Sequence, residues 1–159
     1  MILRSIFLEI LMNPLFERSV LVFSESGMAR LQQSHILVAG VGGVGGFVAE
    51  ALARAGVGHL TLVDHDTVSG SNKNRQIIAL DSTRGRLKTE VMRDRIADIN
   101  SECRVDVISS FLKPEDMEPL LTQQFDYVVD AIDSLNCKAN LVITAKSLNL
   151  PVVSSMGAG

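Results

Sequence analysis

Apolar positions in this chain fall into short continuous runs and longer amphipathic stretches, which alternate from His35 onward. HILVA (35–39) predicts a buried strand, an apolar-faced helix follows over about 44–55, and HLTLVD (59–64) predicts a second strand ending in Asp64. KTEVMRDRIADI (88–99) predicts a helix with Val91, Ile96 and Ile99 facing inward, and CRVDVIS (103–109) alternates like a strand. Pro114 opens a helix to Leu121, in the first-turn position that proline suits. FDYVVDAID (125–133) is a strand running out at Asp130, with Asp133 just beyond it. Cys137–Leu148 reads as a helix and PVVSS (151–155) as a last strand. This alternation predicts the α/β class: a Rossmann-like, doubly wound, mainly parallel sheet with helices on both faces.

Ahead of the first strand, FERSVLVFSESGMARLQQ (16–33) predicts two short helices separated near Ser24–Gly27. The division is then a helical segment over 1–34 and a nucleotide-binding domain over 35–159. MILRSIFLEILMN (1–13) is apolar, but Arg4 and Glu9 interrupt it and no small-residue cleavage site follows. It is shorter than the about 20 apolar residues that span a bilayer, so it reads as a leading amphipathic helix or a start-site extension. A membrane-surface role is the less favoured reading. The chain stops on Gly157-Ala158-Gly159 directly after a strand, which reads as truncation of a longer chain.

Composition narrows the class. Hydrophobic residues make up 47% of 159 and charged residues 21%, with a mean hydropathy of +0.25, which describes a well-buried globular protein and excludes a disordered one. Net charge is −3, so nothing global advertises nucleic-acid binding. Cys103 and Cys137 form no CxxC pair and no metal spacing, which points to buried thiols in a reducing, cytoplasmic setting.

The chemistry gathers where strands end. Gly40, Gly42 and Gly45 make G-x-G-x-x-G between strand and helix, with Gly43 inside the turn and Asp64 near the distance expected of a ribose-binding carboxylate. The first glycine permits a tight turn, the second lets backbone N–H groups approach a phosphate, and the third lets the helix pack closely. Beyond Asp64 comes a polar loop, HDTVSGSNKNRQ (65–76), at the strand's carboxyl end, where α/β sheets bind ligands. Asp64, Asp66, Asn72, Arg75, Gln76, Lys88 and Asp133 would share that edge. A dinucleotide has little use for the extra charges. ATP, with about four negative charges, would be neutralised by Arg75 and Lys88 as pyrophosphate leaves. Asp133 would hold Mg²⁺, which is usually bound by one or two carboxylates plus phosphates. No GxxxxGK[ST] sequence is present, so this is not a P-loop enzyme.

Blander roles compete at several positions. Arg18 and Lys88, read alone, are solvated charges. Asp66 is evenly balanced between ligand and loop brace. Asp130 is read as a brace and Asp133 as the ligand. His35, His59 and His65 are given no catalytic part. The basic run Arg84, Arg86, Lys88, Arg93, Arg95 is read as a solvated face interleaved with Glu90 and Asp94.

The runs GVGGVG (40–45), DHD (64–66), SNKNRQ (71–76), Lys88 and DAID (130–133) resemble the ThiF/MoeB and ubiquitin-activating enzyme superfamily over about 16–159. NRQIIAL (74–80), IADINSECRV (96–105) and DAIDS (130–134) leading to VVSSMGAG (152–159) are most similar to its tRNA threonylcarbamoyladenosine dehydratase branch. The resemblance implies an ATP-dependent, adenylate-forming enzyme. Gly40–Gly45 would cover the phosphates, Asp64 would bind the ribose, and Asn72, Arg75 and Lys88 would meet the triphosphate. Asp133 would carry Mg²⁺. Arg18 matches an arginine that reaches the neighbouring subunit's ATP, so a homodimer is implied. Gly46 departs from the family pattern, where a larger residue is common. The family continues well beyond position 159, so a zinc CxxC pair or acceptor cysteine could lie outside this sequence.

On this resemblance the carboxylate is that of threonylcarbamoyladenosine in tRNA, activated and then cyclised with loss of water. The alternative acceptor is the C-terminal glycine of a ubiquitin-like sulfur carrier. An NAD-dependent oxidoreductase and a non-catalytic scaffold are the rivals of other classes. The joint presence of Arg75, Lys88 and Asp133 argues against the scaffold.

Overall fold

The computed structural model describes residues Asn13–Met156, so the apolar stretch 1–12 and the terminal 157–159 lie outside the described residues. Strand β1 (His35–Ala39) occupies the middle of a five-stranded sheet. On one side lie β2 (His59–Val63) and then β3 (Arg104–Ile108). On the other lie β4 (Tyr127–Asp130) and then β5 (Val152–Ser154). Every pairing is parallel, and the register sets Ala39 opposite both Val63 and Asp130. The chains leaving those three residues therefore emerge side by side. Strand order reverses between β1 and β4, which opens the crevice where such sheets bind ligands.

Both faces of the sheet are buried, and β1 shows how. Ile36 and Val38 join the core beneath α2 (Gly45–Ala55) and α3 (Lys88–Ile99), with Ala49, Ala53, Met92 and Ile96. Leu37 and Ala39 point the other way, to Met117 and Leu120 of α4 (Pro114–Leu121) and Leu141 and Ala145 of α5 (Leu135–Ser147). This is the two-sided burial that reads as a continuous apolar run in a parallel strand.

Helix α1 (Glu17–Gln33) precedes the sheet and is broken at Ser24, whose φ of 61° and ψ of 167° interrupt the helical path. The expected division into two helices is thus real, at the start of the expected interval. Phe16 and Met28 anchor this segment under the α2–β2 turn, where Gly56 adopts φ +97° and any Cβ would lie 2.9 Å from Met28. Helix boundaries otherwise agree with the periodicity to within two residues. No helix among the described residues is long and apolar enough to cross a membrane.

Candidate active site

The glycine turn is built by close approach. Gly40 takes φ +91°, and a Cβ there would meet the Ala131 carbonyl oxygen at 2.6 Å. Its N–H donates to Val63 O (2.7 Å), while the Ala131 N–H donates to Ala39 O (2.8 Å). Gly45 is tighter still: a Cβ would lie 1.8 Å from the Gly40 oxygen, so only glycine lets α2 start there. A Cβ at Gly42 would meet Gln76 Nε2 at 3.8 Å, and one at Gly43 the stem and backbone oxygen of Arg75 at 3.5–3.7 Å, both ordinary van der Waals contact. Gly46, the departure from the family pattern, leaves room for a methyl 3.4 Å from Ile77.

These turns border a cleft of about 320 Å³ at the carboxyl edge of the sheet. Gly40, Gly42, Gly43, Asp64, Asp66, Arg75, Gln76, Lys88 and Asp133 all line it. Gly45 does not line it and acts through packing. Asn72 and Arg18 are not brought to the wall. Asn72 caps its own turn, its Oδ1 accepting the Ser69 N–H (2.9 Å), and so shapes the loop that carries Arg75. Arg18 lies exposed on α1, away from the cleft of its own chain.

Asp64 binds the loops together. One carboxylate oxygen accepts the Val41 N–H of the glycine turn (2.7 Å), and the other accepts the Asp66 N–H (2.9 Å). Lys88 is the largest surprise. The loop after β2 folds back through a bridge between Thr67 and Leu87, and this sets the first residue of α3 against Asp66. Lys88 is only 5% exposed, and its Nζ donates to Asp66 Oδ2 (2.7 Å). It is therefore not a solvated charge, and the reading of the basic run as a surface face fails at this one position. Arg86, Arg93 and Arg95 do pair at the surface, with Asp94, Glu90 and Glu50. The hydrogen bond from Lys88 holds the Asp66 carboxyl below the usual carboxylate range.

Arg75 sits at the rim, donating to Ser71 O (3.2 Å) and Asn74 Oδ1 (2.9 Å), with other guanidinium N–H groups uncommitted among the described residues. Gln76 is buried, and its Oε1 has no partner among the described residues. The exposed Asp133 carries a carboxylate uncommitted among the described residues, a hard oxygen donor of the kind Mg²⁺ takes together with phosphates and water. The Asp64–His65–Asp66 trio has its ligand atoms within 4.8 Å of one another, yet its carboxylates already serve backbone N–H groups and Lys88.

Two features escaped sequence reasoning, one on the wall of the cleft and one outside its lining. Ser110, Phe111 and Leu112, beyond β3, close the wall beside His65, whose ring meets Phe111 edge-on at 5.1 Å. The same strand-end rule that marked the loop after β2 applies to them. The other is Lys138, a lysine among the buried Cys137, Leu141 and Ala145 of α5. A cation on an apolar helical stripe signals a buried partner.

The model of the ThiF family matches residues 16–159. The chain belongs to the ThiF family. This ThiF-family domain is 46% identical over 138 residues to a tRNA threonylcarbamoyladenosine dehydratase of Haemophilus influenzae, a match covering 87% of this chain and 53% of the relative. It is 46% identical over 143 residues to the enzyme of that name from Bacillus subtilis, covering 90% and 56%. A molybdopterin-synthase adenylyltransferase of Escherichia coli is 35% identical over 132 residues, covering 83% and 53%. Among solved structures, the E. coli tRNA N6-threonylcarbamoyladenosine dehydratase in complex with ATP superposes with a TM-score of 0.89 at 42% identity, covering 91% of this chain and 59% of that one. This ThiF-family domain spans about half the length of the curated relatives it matches.

Proposed function

We propose that this chain carries the ATP site of an adenylate-forming enzyme that activates the carboxylate of threonylcarbamoyladenosine in tRNA and closes it to a cyclic product. The observation that carries this reading is the convergence of Arg75 and Lys88 with the uncommitted Asp133 around the glycine turn in one cleft. The two negative charges of a nicotinamide dinucleotide make less use of Arg75, Lys88 and a free carboxylate than the about four of ATP do. The relatives' dehydratase activity and the ATP complex of a 42% identical structure support the same reading.

In this mechanism the glycine turn and the start of α2 receive the phosphates, and Asp64 accepts the ribose hydroxyls while still bracing the turn. The substrate carboxylate attacks the α-phosphorus in line, and the bond to pyrophosphate breaks. Arg75 and Lys88 neutralise the leaving charge, with Lys88 exchanging part of its bond to Asp66 for phosphate oxygen. Asp133 would hold Mg²⁺, which supplies further neutralisation of the phosphate oxygens. An internal nucleophile of the modified base then expels AMP. Net loss of one water follows. Positioning and electrostatics suffice, and no protein nucleophile is needed in this half.

The same reading includes a homodimer. Arg18 lies exposed on the helix that presents Leu21 and Val22 at 85% and 78% exposure, which suits an interface reaching a neighbour's cleft. Buried, unpaired Cys103 and Cys137 suit a reducing, cytoplasmic setting.

The test uses the full-length protein with ATP, Mg²⁺ and tRNA bearing threonylcarbamoyladenosine, digested and read by mass spectrometry. A nucleoside lighter by one water is expected, lost in Arg75→Ala and Asp133→Ala. ATP–pyrophosphate exchange that rises only with a ubiquitin-like carrier would favour the carrier acceptor, the reading to which the 35% identical adenylyltransferase points. NAD binding indifferent to Mg²⁺ and to Arg75→Ala would overturn adenylation altogether.

A further inference from the structure

Beneath the cleft lies an ion pair to which the mechanism above gives no part. Asp130, the last residue of β4, is fully buried, and Lys138, from the second turn of α5, is 5% exposed. Neither lines the cleft. Lys138 Nζ donates to Asp130 Oδ2 (2.7 Å), to the Ser155 carbonyl (2.8 Å) and to Ser154 Oγ (3.4 Å), which uses all three of its donors. Asp130 Oδ2 also accepts the Ser154 hydroxyl, and Oδ1 accepts the Ile132 N–H (3.1 Å). One ammonium therefore ties the ends of β4 and β5 to α5.

What that junction holds is the loop 131–134. Its first residue presses the Ala131 oxygen against Gly40, and its third is Asp133 at the wall of the cleft. Apolar packing would hold α5 on the sheet without a charge. A buried ion pair is weak evidence for stability, because removing two charges from water offsets much of their attraction. It does impose one geometry, since a fully committed ammonium tolerates neither slippage of β5 nor rotation of the loop.

We propose that Lys138 is a positioning residue for the nucleotide chemistry: through Asp130 and Ser155 it sets the loop that aims Asp133 at the metal and phosphates. The proposal rests on reading the cleft as an ATP site. Lys138 touches no substrate and acts only through these partners.

The experiment measures ATP affinity by calorimetry, with and without Mg²⁺, for the full-length protein, Lys138→Met and Lys138→Met/Asp130→Asn, alongside thermal midpoints and amide exchange at Ile132. Metal-free ATP affinity of Lys138→Met is expected to stay within about threefold of the parent, since the glycine turn, Arg75 and Lys88 are untouched. The gain in affinity that Mg²⁺ brings to the parent is expected to shrink by about tenfold or more, as for other outer supports of a metal ligand. Exchange at Ile132 should quicken as Asp130 loses its anchor.

The double variant removes the unpaired charge and should regain most of the lost thermal midpoint but not the Mg²⁺ effect. If Lys138→Met alone does not fold, the double variant answers the question by itself. A parent-like Mg²⁺ gain in Lys138→Met, or its return with the midpoint in the double variant, would overturn the positioning role while leaving the ATP reading standing. A parent that binds no ATP would overturn both.

Discussion

Alanine at Gly42 and alanine at Gly45 should have opposite consequences, although the two lie three residues apart in one motif. A Cβ at position 45 would sit 1.8 Å from the Gly40 oxygen and 2.9 Å from its carbon. Restoring a C···O contact of about 3.3 Å requires α2 and the glycine turn to part by about 1.5 Å. Both atoms belong to backbone, so no rotamer change relieves the clash. Overpacking costs about 1–3 kcal/mol where side chains can adjust, and the upper end, about 3 kcal/mol, is expected here. For a domain near this size that is a drop of roughly 6–12 °C in thermal midpoint.

At position 42 the only neighbour of a Cβ within 4 Å among the described residues is Gln76 Nε2 at 3.8 Å, and the backbone lies outside the left-handed region. Gly42→Ala should leave stability unchanged or raise it by up to about 1 kcal/mol through the unfolded state. If the turn receives ATP as proposed, the methyl would occupy space that phosphate oxygens need, and ATP affinity should fall at least about tenfold, ~1.4 kcal/mol. Thermal denaturation and ATP titration of both variants make the check. A Gly45→Ala variant that melts like the parent, or a Gly42→Ala variant that is destabilised and still binds ATP normally, would refute this contrast.

Three other outcomes follow from the same structure. Asp66→Asn leaves the buried Lys88 without a carboxylate and should cost about 2 kcal/mol in urea denaturation, less than the about 3–5 kcal/mol of a fully enclosed pair because Asp66 is half-exposed; an unchanged midpoint would refute it. Burial, then the stacked His59 ring 3.4 Å away, push the His35 imidazole below 6.5. The unfolded chain therefore takes up that proton first as pH falls, so stability is complete above neutral pH and declines from about 6.5 downward. His35→Phe should flatten the step between pH 7 and 5.5, and an equal slope in both proteins would refute it. Burial raises the Cys103 thiol to about 11, so iodoacetamide at pH 8 should label it only in denaturant. Stoichiometric labelling of the native protein would contradict this.

Period and punctuation made most of the architecture legible. The run ILVA after His35 has no polar face, which a strand covered on both sides demands, and the structure packs its alternate residues into two separate cores; in β2, Leu60 and Leu62 join one core and Val63 the other, while Thr61 is buried against the His35 ring. Gly40 and Gly45 could be assigned because a strand and a helix meeting at so short a turn leave no room for Cβ atoms. Asp130 reads as a brace from its place at a buried strand end, and the structure encloses it fully. The burial of Lys88 is not legible from its own neighbours, because it depends on the Thr67–Leu87 bridge, which joins residues twenty apart across an irregular loop. The resemblance implies a phosphate contact for Asn72, and its cap on the Ser69 N–H was not legible, because an asparagine in a turn can bond its own neighbouring backbone.

The sequence by itself determined the elements, their order, the two-faced burial and the edge at which chemistry would gather, because each rests on periodicity within a few residues. Tertiary structure alone decided which charges are free and which are committed. It pairs Lys88 with Asp66, ties Lys138 to Asp130 and Ser155, and leaves Asp133 uncommitted among the described residues. A charge's state depends on burial and on the nearest opposite charge. Both are set by segments that meet only after the strands have paired.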